Sequence, residues 1–145
     1  MSDRVARAAL IVICLAGIAD AAYLTYVHYQ PAALICTTSG GCETVQQSSY
    51  AVLLGVPVAV LGLATWIAAL VLTLWDGELA RTLMAALAIG ALAFVGYLVV
   101  LQLFVIDAIC VWCMVNDVVL VPLLAVIALL RLRTAGAENR PPNAA

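Results

Sequence analysis

Residues 110–130 read CVWCMVNDVVLVPLLAVIALL. From Met114 to Leu130 the run is apolar apart from Asn116 and Asp117. A run of about 20 such residues crosses a ~30 Å hydrocarbon core as a helix. The stretch is therefore read as a membrane span with two cysteines, Cys110 and Cys113, at its mouth. Cysteines in this spacing close a small disulfide ring, and one of the two thiols is commonly held as a reactive thiolate.

The remainder of the chain agrees with a membrane setting. It has 145 residues, 67% of them hydrophobic and 10% charged, far outside the composition of a soluble domain. Apolar runs cover Ala8 to Val27, Ala51 to Trp75, Leu83 to Ile106 and Ala108 to Leu130. Little chain remains between them, which leaves no room for a soluble domain. The expected architecture is an all-α integral membrane protein, a four-transmembrane-helix bundle over residues 1–133. An extracytoplasmic loop would carry a second cysteine pair, and residues 134–145 would form a disordered cytoplasmic tail. Gly55-Val56-Pro57 predicts a kink or half-helix at the start of the second span. Gly90 and Gly96 predict close helix packing in the third. Pro122 predicts a mild kink in the fourth.

Charge orients the bundle. There is no lysine, and the six arginines are Arg4, Arg7, Arg81, Arg131, Arg133 and Arg140. The segments 20–50 and 97–121 contain none. By the positive-inside rule, both termini and the turn at 76–81 are cytoplasmic in a multi-pass protein of the inner (plasma) membrane. Every cysteine except Cys14 then lies at the outer face, where disulfides persist. Arg4, Arg7 and Ala19-Asp20-Ala21 resemble a cleavable leader, but apolar residues resume at Tyr23, Leu24 and Val27, so the stretch reads as a span. Asp20 is expected to face the bundle or outer water, as a hydrogen-bond acceptor or a proton relay. Cys14 reads as packing.

His28 to Ser49 is the one long polar stretch, with a flexible turn at residues 37–41 bracketed by Cys36 and Cys42. These two are read as a second exchangeable pair, as an inert staple or as metal ligands. Two exchangeable pairs on one side of a bundle would form a relay, because a thiolate can attack a disulfide and pass electrons from pair to pair. A relay needs a terminal acceptor. A lipid-soluble quinone can reach Cys113 from the membrane, and it takes the two electrons that one dithiol delivers. Ser48 and Ser49 are candidate donors to it. Phe94 and Tyr97, on the third span, are candidate walls for the ring, although aromatics at this spacing also serve as core or lipid-facing residues.

Cys36-(five residues)-Cys42, Ser48, Tyr50, Gly55-x-Pro57 and the late Cys110-x-x-Cys113 together resemble the vitamin K epoxide reductase family in its bacterial form, over roughly residues 8–131. The resemblance implies four helices around a quinone (menaquinone or ubiquinone). It also implies that Cys36 and Cys42 receive electrons from a thioredoxin-fold (DsbA-like) partner, with Cys113 facing the quinone. Many bacterial members carry a fused thioredoxin-like domain; here the partner is expected to be a separate protein. Asp117 stands where the animal members have tyrosine, which weighs against vitamin K epoxide as substrate.

Two other classes compete. Thiol oxidases of the disulfide bond formation protein B type also have four helices and two outer cysteine pairs, but their CxxC lies in the first loop. A heavy-metal membrane carrier would use cysteine pairs as soft ligands, yet needs thiols along its route, and here they gather at one face. The remaining alternative is a structural tetraspan protein with two staples.

Overall fold

The computed structural model describes residues 2–36 and 41–138, the last four as backbone only. The expected turn at residues 37–40 and the tail from 139 onward lie outside the described residues. Helix α1 (Asp3–Tyr29) starts at Ser2, whose Oγ accepts a hydrogen bond from the Val5 N–H. A short helix α2 (Gly41–Gln46) follows the first loop, and β1 (Val52–Leu53) and β2 (Val56–Pro57) form a small antiparallel hairpin. Then come α3 (Val58–Trp75), α4 (Glu78–Val100), α5 (Val111–Met114) and α6 (Val121–Glu138). Widened π-helical turns at Leu101–Val105 and Val115–Leu120 extend α4 and join α5 to α6. Four stretches are long and apolar enough to cross a membrane: Asp3–Tyr29, Val58–Trp75, Glu78–Val105 and Val111–Thr134.

The spans close into a ring. α1 packs on α3, α3 on α4, α4 on α6, and α6 back on α1. Their shared core includes the small residues Ala21, Ala69, Ala88 and Ala125 with Leu10, Leu124 and Trp66. Leu15, Val71 and Val126 point outward and are more than half exposed, as lipid-facing residues are. Cys14 is a buried free thiol within this core. The closest helix contact is at Gly17, where any Cβ would overlap the indole of Trp66. Gly90 and Gly96 do not play that part: a Cβ at either would meet nothing within 4 Å.

One local expectation needs correcting. The Gly-x-Pro stretch is not a half-helix. Leu54 and Gly55 both have positive φ, 52° and 83°, the turn geometry that matches the twist of a two-residue hairpin loop. Pro57 then serves as the N-cap of α3, where its missing N–H breaks no helical bond, so the second span begins at Val58 rather than Ala51. In the last span the π-helical turn Val115–Leu120 directly precedes Pro122, so the helix widens ahead of the proline. Helix α6 runs to Glu138.

At the end opposite the cysteines, Arg131 links three elements. Its Nε and Nη2 donate to the Asp3 carboxylate at 2.7 and 3.1 Å, and Nη2 also donates to Asp76 Oδ1 at 2.5 Å. Arg81 donates to Asp76 at 3.2 Å, and Arg7 lies 3.4 Å from the same carboxylate. Asp76 reaches them because it caps α3 in the left-handed conformation, φ 52°. The arginines that marked one side of the sequence thus tie that end of the bundle together.

Candidate functional site

Cys36 and Cys42 form one disulfide, with Cα atoms 6.2 Å apart, and Cys110 and Cys113 form another, at 5.2 Å. Cys42 and Cys110 are both fully buried, in one apolar cluster with Leu24 and Val27. Cys36 and Cys113 pack at its edge and are only partly buried. What brings the two pairs together is Gly41. A Cβ there would lie 2.5 Å from the carbonyl oxygen of Ile109, so α2 can seat against that backbone only with glycine at its first position. Gly41 precedes Cys42 and Ile109 precedes Cys110, so this backbone contact sets the inner cysteines side by side.

The chain before Cys36 is clamped from two sides. The Ile35 N–H donates to the Tyr23 hydroxyl at 2.8 Å, and the Trp112 indole N–H donates to the Ile35 carbonyl at 2.9 Å. The Tyr23 and Trp112 rings meet edge to face, centroids 5.2 Å apart. A residue inside the CxxC motif therefore holds the loop of the other pair. Below it, Gln102 anchors the motif's approach. Its side-chain oxygen accepts the Cys110 N–H at 3.0 Å, and its backbone carbonyl accepts the Ala108 N–H at 3.1 Å. Asp107 turns between them with φ 53°.

From Cys113 a cavity of about 590 Å³ opens between the spans. That volume is typical of a small-molecule site. Its wall is largely apolar, with Leu24, Leu87, Phe94 and Leu101 among the lining side chains. Gly62 and Gly90 also line it, and neither position has a neighbour where a Cβ would be, so both leave volume to the cavity. Cys113, Ser48 and Phe94 line the cavity. The Ser48 hydroxyl donates to the Val45 carbonyl at 2.8 Å. Tyr97 does not line the cavity: its ring is 53% exposed beside Phe94 and faces outward, because α4 turns it away from the bundle.

Gln46 and Trp66 were not picked out from sequence, whereas Asp20, Asn116 and Asp117 stood out there as polar residues of apolar runs. Gln46, at the end of α2, points its Nε2 at Cys113 Sγ, 3.7 Å away. The Trp66 indole donates to Asn116 Oδ1 at 2.9 Å, and Asn116 Nδ2 donates to Asp117 Oδ1 at 2.9 Å. This chain orients Asp117, which is 5% exposed and whose Oδ2 has no hydrogen-bond partner. Asp20 lines the same cavity, and both its carboxylate oxygens are likewise buried without a partner. Asn116 and Asp117 sit in the π-helical turn that interrupts the last span, a distortion that often marks a functional position. In sequence, Asn116 and Asp117 stood out as the two polar residues of that run, and Asp20 as the charged residue near the outer end of the first.

Compared with models of known protein families, the chain matches that of the Vitamin K epoxide reductase family over residues 8–128. The matched segment contains both cysteine pairs and nearly all of the four spans.

Proposed function

Because the chain belongs to the vitamin K epoxide reductase family, whose membership carries oxidoreductase activity in a multi-pass membrane protein, we propose that it is a quinone-dependent thiol–disulfide oxidoreductase that oxidises a separate thioredoxin-fold partner. The observation that carries this reading is the placement of the four cysteines: Cys36 at the edge, Cys42 and Cys110 buried together, and Cys113 on the wall of an apolar cavity.

In this reading a partner thiolate attacks Cys36 Sγ, the accessible sulfur of the first pair, and Cys42 leaves as thiolate. The partner's second thiol resolves that mixed disulfide and departs oxidised. Cys42 attacks Cys110, displacing Cys113 as a thiolate toward the cavity. Cys36 then resolves the Cys42–Cys110 bond, which restores the first pair and leaves Cys110 and Cys113 as a dithiol. The residues present suit a quinone: the cavity is large and mostly apolar, Cys113 is on its wall, and the Gln46 amide lies 3.7 Å from that sulfur. The chemistry such a group supplies is acceptance of two electrons and two protons. Gln46 is placed to hold the Cys113 thiolate by hydrogen bonding. Phe94 and the apolar wall orient a flat ring and exclude water. The Ser48 hydroxyl can donate to a ring oxygen by turning from the Val45 carbonyl.

The test uses Cys110→Ala protein purified from membranes. With its disulfide partner gone, Cys113 is expected to stay a thiolate against the ring, producing a visible charge-transfer absorption that Ser48→Ala weakens. A colourless protein with quinone demonstrably bound would overturn the reading. The partner step has its own trap: Cys42→Ala should accumulate a mixed disulfide through Cys36.

We further propose that the arginine-rich end is cytoplasmic and the cysteines face outward. The ion-paired end carrying Arg7, Arg81 and Arg131 supports this under the positive-inside rule. A cysteine introduced at Gly77 should resist an impermeant reagent applied from outside; labelling from outside would reverse the orientation.

A further inference from the structure

Two residues that line the largely apolar cavity, Asp20 from α1 and Asp117 from the last span, hold three buried carboxylate oxygens with no hydrogen-bond partner among the described residues: both oxygens of Asp20 and Oδ2 of Asp117. Orphaned acceptors of this kind are costly in a low-dielectric setting, and ionisable groups kept inside a membrane span generally mark function. No arginine, lysine or histidine lines the cavity among the described residues, so no cation balances the pair. The other groups that face it are Cys113 and Asn116 from the last span, Thr65 from α3, Gln102 below, and Gln46, Ser48 and Tyr50 from the outer loop. Their hydrogen bonds go to other atoms: Asn116 to Trp66 and Asp117 Oδ1, Thr65 to the Leu61 carbonyl, Gln102 to Cys110, Gln46 to Cys113 and Ser48 to the Val45 carbonyl. The Trp66–Asn116–Asp117 chain fixes one oxygen of Asp117 and leaves the other without a partner among the described residues.

We propose that Asp20 and Asp117 form a proton-holding carboxyl pair that serves the quinone-reducing half of the reaction. This rests on the quinone reading above and gives it a source of protons. A carboxylic O–H is the donor that a quinone oxygen needs, and a carboxylate oxygen is the acceptor that a quinol hydroxyl needs. The pair can therefore match the ring before and after turnover. Cys110 and Cys113 give up two electrons as their S–S bond forms. The carboxyl pair passes two protons to the ring oxygens, and it is reloaded by the proton shed when Cys113 ionises from the dithiol and by the proton of the Cys110 thiol. The sum is dithiol plus quinone giving disulfide plus quinol, with nothing drawn from outside.

The test compares the parent protein with Asp117→Asn and Asp20→Asn, using menadione as the probe in lipid nanodiscs. Three quantities are read: menadione affinity from quenching of tryptophan fluorescence, the infrared carbonyl band of protonated carboxyl groups, and the single-turnover rate of reoxidation of the Cys110/Cys113 dithiol. Asp117→Asn is expected to bind menadione within about threefold of the parent, to lose part of the carboxyl band, and to reoxidise about 100-fold more slowly, the scale of a lost general acid. Asp20→Asn should move the same three readings in the same direction. Retained binding in either variant shows that the fold survives. Parent-like reoxidation in both variants, or an unchanged carboxyl band in both, overturns the proposal while leaving the quinone reading intact. A parent that exchanges disulfides with a dithiol yet never reduces menadione would overturn both.

Discussion

The indole N–H of Trp112 donates to the carbonyl of Ile35 across 77 positions of sequence, at 2.9 Å. One variable position of the CxxC motif is thereby tied to the residue before Cys36, so the two cysteine pairs share a mechanical link as well as a buried cluster.

Replacing Trp112 with phenylalanine keeps the ring against Tyr23 but removes that bond. A typical net hydrogen bond is worth about 1 kcal/mol. Amide hydrogen exchange over residues 32–36 should therefore speed up about fivefold, while exchange in α3 stays unchanged. Equal exchange in the two proteins would mean that the clamp does not hold the loop.

Gly41→Ala tests the contact that aligns Cys42 with Cys110. The new methyl group must displace either α2 or the Ile109 backbone, because no side chain can yield there. Both disulfides should still form. Transfer from the first pair to the second, followed by rapid quench and thiol alkylation, should slow at least tenfold. Normal transfer would place the route between pairs elsewhere.

Gln46→Leu preserves bulk but removes the amide that points at Cys113. In a Cys110→Ala background the Cys113 sulfur should then be less stabilised as a thiolate. Its alkylation by iodoacetamide near neutral pH is expected to fall about tenfold, equivalent to ~1.4 kcal/mol. Ser48→Ala in the same background is the control and should alter that rate much less.

Arg131→Met tests the ion cluster at the opposite end. Arg131 is 5% exposed and grips both Asp3 and Asp76, so its loss removes the buried cation at the junction of α1, α3 and α6 and leaves the two carboxylates to the longer contacts with Arg81 and Arg7. Because Asp3 is half exposed, the expected loss is about 2 kcal/mol, below the range for a fully buried pair. Thermal unfolding in detergent should begin several degrees lower, with disulfide exchange in the surviving protein unchanged. Arg131→Lys should recover only part of this, because lysine cannot make the two-pronged contact with Asp3.

How much of this was legible in advance differs from residue to residue. Four apolar runs, alternating arginine-rich and arginine-free loops, and two cysteine pairs with Ser48 between them are local patterns. Hydrophobic length and charge act along the chain, so the spans, the common face of the pairs and the family resemblance could all be read directly. Local patterns also misled. Gly55-Val56-Pro57 reads equally as a kink or a turn, and only the pairing of Val52 with Pro57 selects the hairpin. Gly90 and Gly96 look like packing glycines, whereas the true close approach is at Gly17, which becomes visible only when Trp66 lies across it. Tyr97 and Phe94 could both have faced the cavity; the rotation of α4 decides that Phe94 does and Tyr97 does not. The rest of the site depends on distant residues meeting. Gln46 reaches Cys113 across 67 positions, and Trp66 reaches Asn116 across 50. Composition and spacing carry no trace of such pairings, because they arise when helices pack around a common axis. Tertiary packing alone brought Asp20 and Asp117, from separate spans, to the wall of one cavity with three carboxylate oxygens left without a partner among the described residues.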